Sequence, residues 1–181
     1  FRDIRGSNAV TGTGPYVPLF FTRSHVMAIE IEKKFLVSSD VWRTLADGVV
    51  YRQGYISISA AHTVRVRIAG ETGFLTIKGA EFDGGRYEFE YPIPVSEADQ
   101  MLTHLCAKPL IEKKRFVIDY RGSKWEVDEF FGDNDGLVVA EIELESVHQP
   151  FAKPEWIGAE VTGDSRYYNA SLVSNPYSNW K

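Results

Sequence analysis

From Ile29 to Leu144 the apolar residues of this chain recur at every second position, and the positions between them are charged far more often than an ordinary solvated sheet requires. In AIEIEKKFLV, Ile29 and Ile31 alternate with Glu30, Glu32 and Lys34; in TVRVRI, Val64, Val66 and Ile68 alternate with Thr63, Arg65 and Arg67; in FLTIKG, Leu75 and Ile77 alternate with Thr76 and Lys78. RYEFEYPI sets Tyr87, Phe89 and Tyr91 against Arg86, Glu88 and Glu90, and KKRFVIDY sets Lys114, Phe116 and Ile118 against Lys113 and Arg115. WEVDEF opposes Trp125 and Val127 to Glu126 and Asp128, and AEIEL opposes Ile142 and Leu144 to Glu141 and Glu143. Successive side chains of a strand point to opposite faces, so each segment predicts a strand with one apolar and one polar face. YRQGYISIS predicts an eighth, with Ile56 and Ile58 opposite Gln53, Tyr55, Ser57 and Ser59. The connections AGETG, EFDGG, RGSK and GDNDG carry the glycine and Asx chemistry of hairpin turns.

Three segments break the pattern and predict helices: Ser38 to Gly48, Val95 to Pro109 with Ser96 as N-cap, and Gly163 to Pro176. In the middle one Met101 and Cys106 fall at helical spacing with Ala98, Leu102 and Leu105 and read as core packing. Eight antiparallel strands with a polar face make either an open sheet backed by helices or a closed barrel with a polar interior, and composition alone leaves both open. Tyr87, Phe89, Tyr91, Phe116 and Trp125 share the apolar parity and are expected outside such a barrel, under helices, with Tyr55 and Phe130 facing inward.

The chain has 181 residues, which suits one domain. Residues 1 to 26 lack the alternation, hold three Arg and one Asp, and read as a leader or added segment; 27 to 181 read as the single folded domain. That part carries 17 Lys and Arg against 24 Asp and Glu, a balance that argues against a broad basic face for nucleic acid or anionic lipid. No apolar run approaches the roughly 18 residues of a membrane span. The longest near the N-terminus, Tyr16 to Phe21, is broken by Pro18. One cysteine, Cys106, excludes an internal disulfide and a cysteine zinc cage and suggests the cytoplasm. The four histidines, His25, His62, His104 and His148, have no ligand spacing.

The alternating polar positions collect the cations Lys34, Arg65, Arg67, Lys78, Arg86, Lys113 and Arg115 and the acids Glu30, Glu32, Glu88, Glu90, Glu126, Asp128, Glu141 and Glu143. One reading is a salt-bridged solvent face. The other is a water-filled lumen in which Arg forks and Lys charges grip phosphate oxygens and carboxylates hold Mg²⁺ or Mn²⁺.

Glu30-Ile-Glu32-Lys-Lys34 resembles the ExExK signature of the first strand of the CYTH superfamily, the triphosphate tunnel metalloenzymes. Together with RQGY, VRVR, LTIKG, RYEFEYPI, EKKRF, WEVDEF, AEIEL and EVTGDSRYYN in that order, the chain is similar to a short bacterial member over residues 27 to 175. The resemblance implies a mainly antiparallel α+β fold, a closed eight-stranded barrel with a polar lumen and helices outside, binding a triphosphate end-on with a divalent cation. It implies metal ligands among Glu30, Glu32, Glu141, Glu143 and Asp128, with Glu30, Glu32 and Glu143 nearest the ion. It implies phosphate contacts from Lys34, Arg65, Arg67, Lys78, Lys113 and Arg115, with Arg86 on the same cationic face. Arg166 would start a C-terminal helix that closes the tunnel, and either touches phosphate or caps structure. Lys33 departs from the family's usual Arg but points to the other face. Tyr55 matches a tyrosine regarded in relatives as proton acceptor; a phenol of ordinary pKa is a poor base unless neighbouring cations depress it, so positioning is the competing role. Tyr55, Lys34 and Lys113 are the candidate catalytic side chains.

The implied activity is hydrolysis of inorganic tripolyphosphate to pyrophosphate and phosphate. Thiamine triphosphatase, class IV-type adenylate cyclase and a polyphosphate or nucleotide-binding module without turnover are the alternatives, and a small-molecule triphosphate is the expected partner. A homodimer is left open, and neither nucleic acid nor membrane is expected.

Overall fold

In the computed structural model, which describes residues 29–82 and 85–180, the strands are β1 Ile29–Val37, β2 Gly48–Ile58, β3 His62–Ala69, β4 Thr72–Gly79, β5 Arg86–Ile93, β6 Ile111–Tyr120, β7 Ser123–Phe130, β8 Val138–Leu144 and β9 Ile157–Glu160. The segment 1 to 26 lies outside the described residues. Neighbours pair antiparallel in the order β5-β4-β3-β2-β6-β7-β8-β1, and β1 returns to β5 through Ile29↔Tyr87 and Glu30↔Arg86. Eight strands therefore close into a barrel, and closure is what removes the exposed edges an open sheet would leave. The ninth strand continues the β1 edge where β5 leaves it, at Phe35↔Glu160 and Val37↔Ile157.

The alternation decides the two faces. Outside β1, β7 and β8, Phe35, Trp125, Val127, Ala140, Ile142 and Leu144 form an apolar cluster covered by Trp42, Trp156 and Ile157. The Trp125 ring meets Phe35, Phe151 and Trp156 edge-on at centroid distances of 5.4, 5.8 and 6.1 Å, and its indole N–H donates to the Ala152 carbonyl at 3.1 Å. Outside β3 and β4 lies a single longer helix, α1 Val95–His104, which buries Ala98 and Leu102 with Val66 and Cys106. At one end of the barrel Tyr55, Ile111, Phe130, Leu137 and Val139 pack on Leu172 and Val173 and close the lumen.

Several expectations from the sequence need correction. Ser38 to Gly48 forms a single 3-10 turn, Val41–Thr44, because β2 already begins at Gly48. Helix α1 stops at His104 and is preceded by Pro94 rather than capped by Ser96, whose hydroxyl makes no cap bond. Gly163 to Pro176 is split into a 3-10 turn, Ser165–Tyr167, and one helical turn, α2 Ser171–Ser174, since these residues wrap over the closed end and follow its shape. A register shift between Tyr55 and Ser57 reverses the parity of β2, so Ile58 turns to the lumen side at the mouth instead of lying opposite Tyr55. Phe116 and Trp125 are buried outside the barrel as expected, but Tyr87, Phe89 and Tyr91 stay exposed because α1 does not reach them.

The seam between β1 and β5 rests on Gly85. Its φ of +126° is poorly tolerated by other residues, and a Cβ there would stand 2.5 Å from the Glu30 carbonyl oxygen and 2.6 Å from the Ile29 side chain. Gly85→Ala is expected to destabilise the protein by about 2 kcal/mol or more. A thermal scan should show that as a fall of roughly 4–8 °C in Tm, whereas an unchanged Tm would mean that the seam does not hold the barrel closed.

Candidate active site

The polar face of the strands encloses a cavity of about 870 Å³. Its wall carries Glu30, Glu32 and Lys34 from β1, Arg65 and Arg67 from β3, Lys78 from β4, and Arg86, Glu88 and Glu90 from β5. Arg115 from β6, Glu126 from β7, and Glu141 and Glu143 from β8 complete it. The period of two is the reason: each of these residues has the parity opposite to the apolar clusters outside.

Charges so close in a half-dry space must neutralise one another, and they do so strand to strand. Lys34 donates to Glu141 at 2.5 Å and lies 3.1 Å from Glu32. Lys78 donates to Glu30 at 2.7 Å, and Arg86 bridges Glu30 at 2.7 Å and Glu32 at 3.3 Å. Arg67 donates to Glu90 at 2.9 Å, Thr76 donates to the same carboxylate at 2.7 Å, and Arg65 reaches it at 3.4 Å. Arg115 is the most heavily engaged: it meets Asp128 at 2.5 Å, Glu141 at 2.8 Å and the carboxylate of Glu126.

Lys113 and Asp128 were expected on the same surface, but they sit beneath it, 1% and 0% exposed; Asp128 meets the lumen residue Arg115, and Lys113 reaches Asn169 of the lumen wall at 3.5 Å. Lys113 donates to Asp128 at 2.5 Å. Burial and the Arg115 charge still outweigh that partner and bring the Lys113 pKa down to about 8. Asp128 and Glu141 go the other way. Burial opposes their ionisation, yet Arg115 and Lys113 hold Asp128 below the usual range, and Lys34 and Arg115 hold Glu141 well below it. Arg166 is displaced altogether: it is exposed, gripped by Asp164 at 2.6 Å, and its guanidinium lies 5.6 Å from the Tyr167 and Trp180 rings.

Tyr55 is buried in the closed end, where its hydroxyl accepts from Gln53 at 3.4 Å. Burial pushes its pKa up, and the pull of Arg65, Arg86 and Lys34 in the other direction does not overcome it. Sequence reasoning missed Tyr51, which shares the parity of Gln53 and Tyr55 in VVYRQGY and so was within reach of the same argument. Its ring centre lies 5.3 Å from the Arg67 guanidinium, 5.6 Å from Arg115 and 6.0 Å from the Lys113 ammonium. Phe74 flanks Arg67 from the next strand at 5.1 Å. The rings attract cations through their π-faces and leave N–H edges free. Nε of Arg65 and Nε of Arg67 are buried without a hydrogen-bond partner among the described residues.

Glu143 differs from the other lumen acids. Among the described residues it has no ion-pair partner, it stands directly across the β1–β8 ladder from Glu32, and burial together with Glu30 and Glu126 raises its pKa. Among the described residues no three Asp, Glu, His or Cys side chains converge to hold a metal ion as they stand, because the remaining carboxylates are drawn onto cations. The donor set nevertheless suits a hard divalent cation: carboxylate oxygens only, one of them unpaired.

A family model of the CYTH domain matches residues 28–177 of this chain. The chain belongs to the CYTH family. An inorganic triphosphatase of Acetivibrio thermocellus is 55% identical over 155 residues, covering 86% of this chain and 99% of the relative. An inorganic triphosphatase of Nitrosomonas europaea is 35% identical over 154 residues, covering 80% of this chain and 96% of the relative. A crystal structure of an inorganic triphosphatase superposes with a TM-score of 0.60 at 32% identity, over 81% of this chain and 95% of the other. The closed barrel that the resemblance implied is thus the CYTH barrel, and ExExK lies on its β1.

In this CYTH barrel Glu30 is the acid whose ionisation is most directly tied to closure, since it lies on the seam strand. Burial opposes its charge, but Lys78 and Arg86 prevail and lower its pKa from 4.5 to about 2. A depressed carboxylate stabilises the fold fully above its unfolded pKa and loses that contribution as pH falls through the folded value. The stability advantage of the wild type over Glu30→Gln should therefore shrink by about 3 kcal/mol as pH drops from about 4.5 toward 2. Denaturant melts of both proteins across that window check this; a pH-independent gap would remove the ion pairs from the account.

Proposed function

We propose that this protein hydrolyses inorganic tripolyphosphate to pyrophosphate and phosphate within the lumen, with Mg²⁺ or Mn²⁺. The observation that carries the reading is a lumen lined by the cations Lys34, Arg65, Arg67, Lys78, Arg86 and Arg115 together with acids, one of which, Glu143, has no ion-pair partner among the described residues. Two relatives that match nearly their whole length to this chain bear the name inorganic triphosphatase, which supports it.

Phosphoryl transfer asks mainly for positioning and charge neutralisation. Arg65 and Arg67 can each turn the terminal N–H groups of the fork from Glu90 to phosphate oxygens. Lys34, Lys78, Arg86 and Arg115 exchange carboxylate for phosphate in the same way, and this exchange releases Glu30, Glu32 and Glu141. Together with Glu143 those are the side chains that would hold the divalent cation. When bound it supplies neutralisation of phosphate charge and acidification of the attacking water. Asp128 is buried between Arg115 and Lys113, so its part is to hold those cations in place. Lys113 acts on the site through Arg115, and Lys34 contributes its charge directly. Tyr55 shapes the blind end against which the phosphate chain stops. The proposal includes a cytoplasmic location, resting on the free thiol of Cys106, and a second copy of the chain as partner.

The alternatives require a place for an organic substituent. Tyr51 and Phe74 are already taken by Arg67 and its neighbours, and Phe130 is locked in the closed end beside Tyr55, so none offers a face to a base. Tripolyphosphate is expected to exceed ATP by at least tenfold in kcat/KM, about 1.4 kcal/mol of transition-state discrimination. Thiamine triphosphate should not exceed tripolyphosphate. Phosphate and pyrophosphate release measured on the three substrates with Mg²⁺, Mn²⁺ or EDTA tests the whole reading; equal turnover of ATP, cyclic AMP as a product, or full activity in EDTA would each defeat it, and binding without turnover would favour the sensor.

Glu143→Gln should abolish hydrolysis while leaving Tm unchanged or raised, because the carboxylate it removes is repelled by Glu30 and Glu126 rather than paired. Glu32→Gln should also abolish hydrolysis, but it forfeits contacts with Lys34 and Arg86 and should lower Tm. Activity retained by Glu143→Gln under saturating metal would place the ion elsewhere.

A further inference from the structure

Tyr51 stands on β2 where the barrel brings together three cations from two other strands. In register it lies opposite Ala69 of β3 on one side and Lys113 of β6 on the other, so Arg67, two residues before Ala69, and Arg115, two residues after Lys113, are its diagonal neighbours. Diagonal neighbours across a ladder come within reach of each other when one is aromatic and the other long. The half-buried ring lines the lumen, with the Arg67 and Arg115 guanidinium groups and the Lys113 ammonium at 5.3, 5.6 and 6.0 Å from its centre. Among the described residues Phe74 meets Arg67 alone and Phe130 meets Lys113 alone, so neither of these rings joins two of the cations. The cations repel one another: burial first, then the charges of Arg65 and Arg115, push the Arg67 pKa down against the pull of Glu90.

We infer that Tyr51 is a positioning residue for hydrolysis: its ring ties the Arg67 fork to Arg115 and keeps that spacing when Arg67 exchanges its carboxylate for a phosphate. The inference rests on the triphosphatase reading and gives a part to a residue which that reading leaves without one. The two guanidinium groups are anchored unequally. Arg115 is held from below by Asp128, which is fully buried, at 2.5 Å, whereas Arg67 has Glu90 at 2.9 Å on the lumen side. A phosphate competes with Glu90, because both offer anionic oxygens to the same N–H edges. It does not compete with a ring, which offers a neutral π-face to the flat side of the guanidinium. The Tyr51 contact therefore persists in the empty site, the substrate complex and the transition state. An interaction that is equal in the last two lowers KM and leaves kcat alone. Without it the substrate itself has to order a fork freed from Glu90, and that ordering is subtracted from affinity.

Steady-state kinetics on tripolyphosphate with Mg²⁺ or Mn²⁺, together with Tm, compare the wild type with three variants. Tyr51→Leu is expected to raise KM at least tenfold while kcat stays within threefold of the wild type. Tyr51→Phe keeps the π-face and should bring KM back to within threefold. Tyr51→Met, whose unbranched side chain adapts to an irregular gap, gives the same readout as Tyr51→Leu should the latter fail to fold. A ring that only fills space would lower Tm in the Leu and Met variants and leave KM where it was, and that result overturns the inference. A loss confined to kcat, a KM raised as much by Tyr51→Phe, or failure of both the Leu and Met variants to fold overturns it too. A wild type that does not turn over tripolyphosphate defeats the triphosphatase reading and this inference with it. An active wild type beside a Tyr51→Leu enzyme of unchanged KM defeats the inference alone.

Discussion

Lys34 and Lys113 are almost excluded from water, and each is tolerated there because a carboxylate, Glu141 for one and Asp128 for the other, accepts its hydrogen bond at 2.5 Å. An isolated charge in such a place would be neutralised or expelled. The same requirement runs round the lumen through Arg115, Lys78, Arg86 and Arg67, so the barrel interior is a closed exchange of charge rather than a surface of independent ion pairs. The closed architecture depends on it, since the strands can converge only if their inward residues cancel.

That balance also explains how one set of residues can hold the fold and serve a reaction. A phosphate chain brings negative charge and a divalent cation brings positive charge, and the pair replaces carboxylate and guanidinium partners in kind. Glu143 has no cation to give up among the described residues, so it stands apart from this exchange. Removing one paired member disturbs structure and chemistry together. Removing Glu143 separates them.

The outer surface follows a different rule. Where the segment through Phe151 and Trp156 or helix α1 lies over the barrel, aromatic and aliphatic residues are dry. Where nothing in the described chain lies over it, at β4 and β5, the residue types are unchanged but the rings stay half exposed. Sequence pattern reports the face a residue takes, and whether that face is covered depends on other parts of the chain or on another molecule.

Read alone, the sequence determined the strands and most of the division into an apolar and a charged face, because a period of two and local charge are properties of neighbouring residues. ExExK and its companion motifs pointed to the CYTH barrel for the same reason. Only the tertiary structure decided which lumen residues touch. Lys113 and Asp128 withdrew beneath Arg115, Arg166 turned outward to Asp164, and the bulge after Tyr55 carried Ile58 to the mouth. It also placed Tyr55 in the closed end and revealed Tyr51 amid three cations. The helices failed for a related cause: Ser38 to Gly48 and Gly163 to Pro176 have helical signals, but the strands they join and the end they cap leave room for single turns. Distances across a barrel are set by strand register and closure, and these join residues that are far apart in the chain and leave no periodic trace in it.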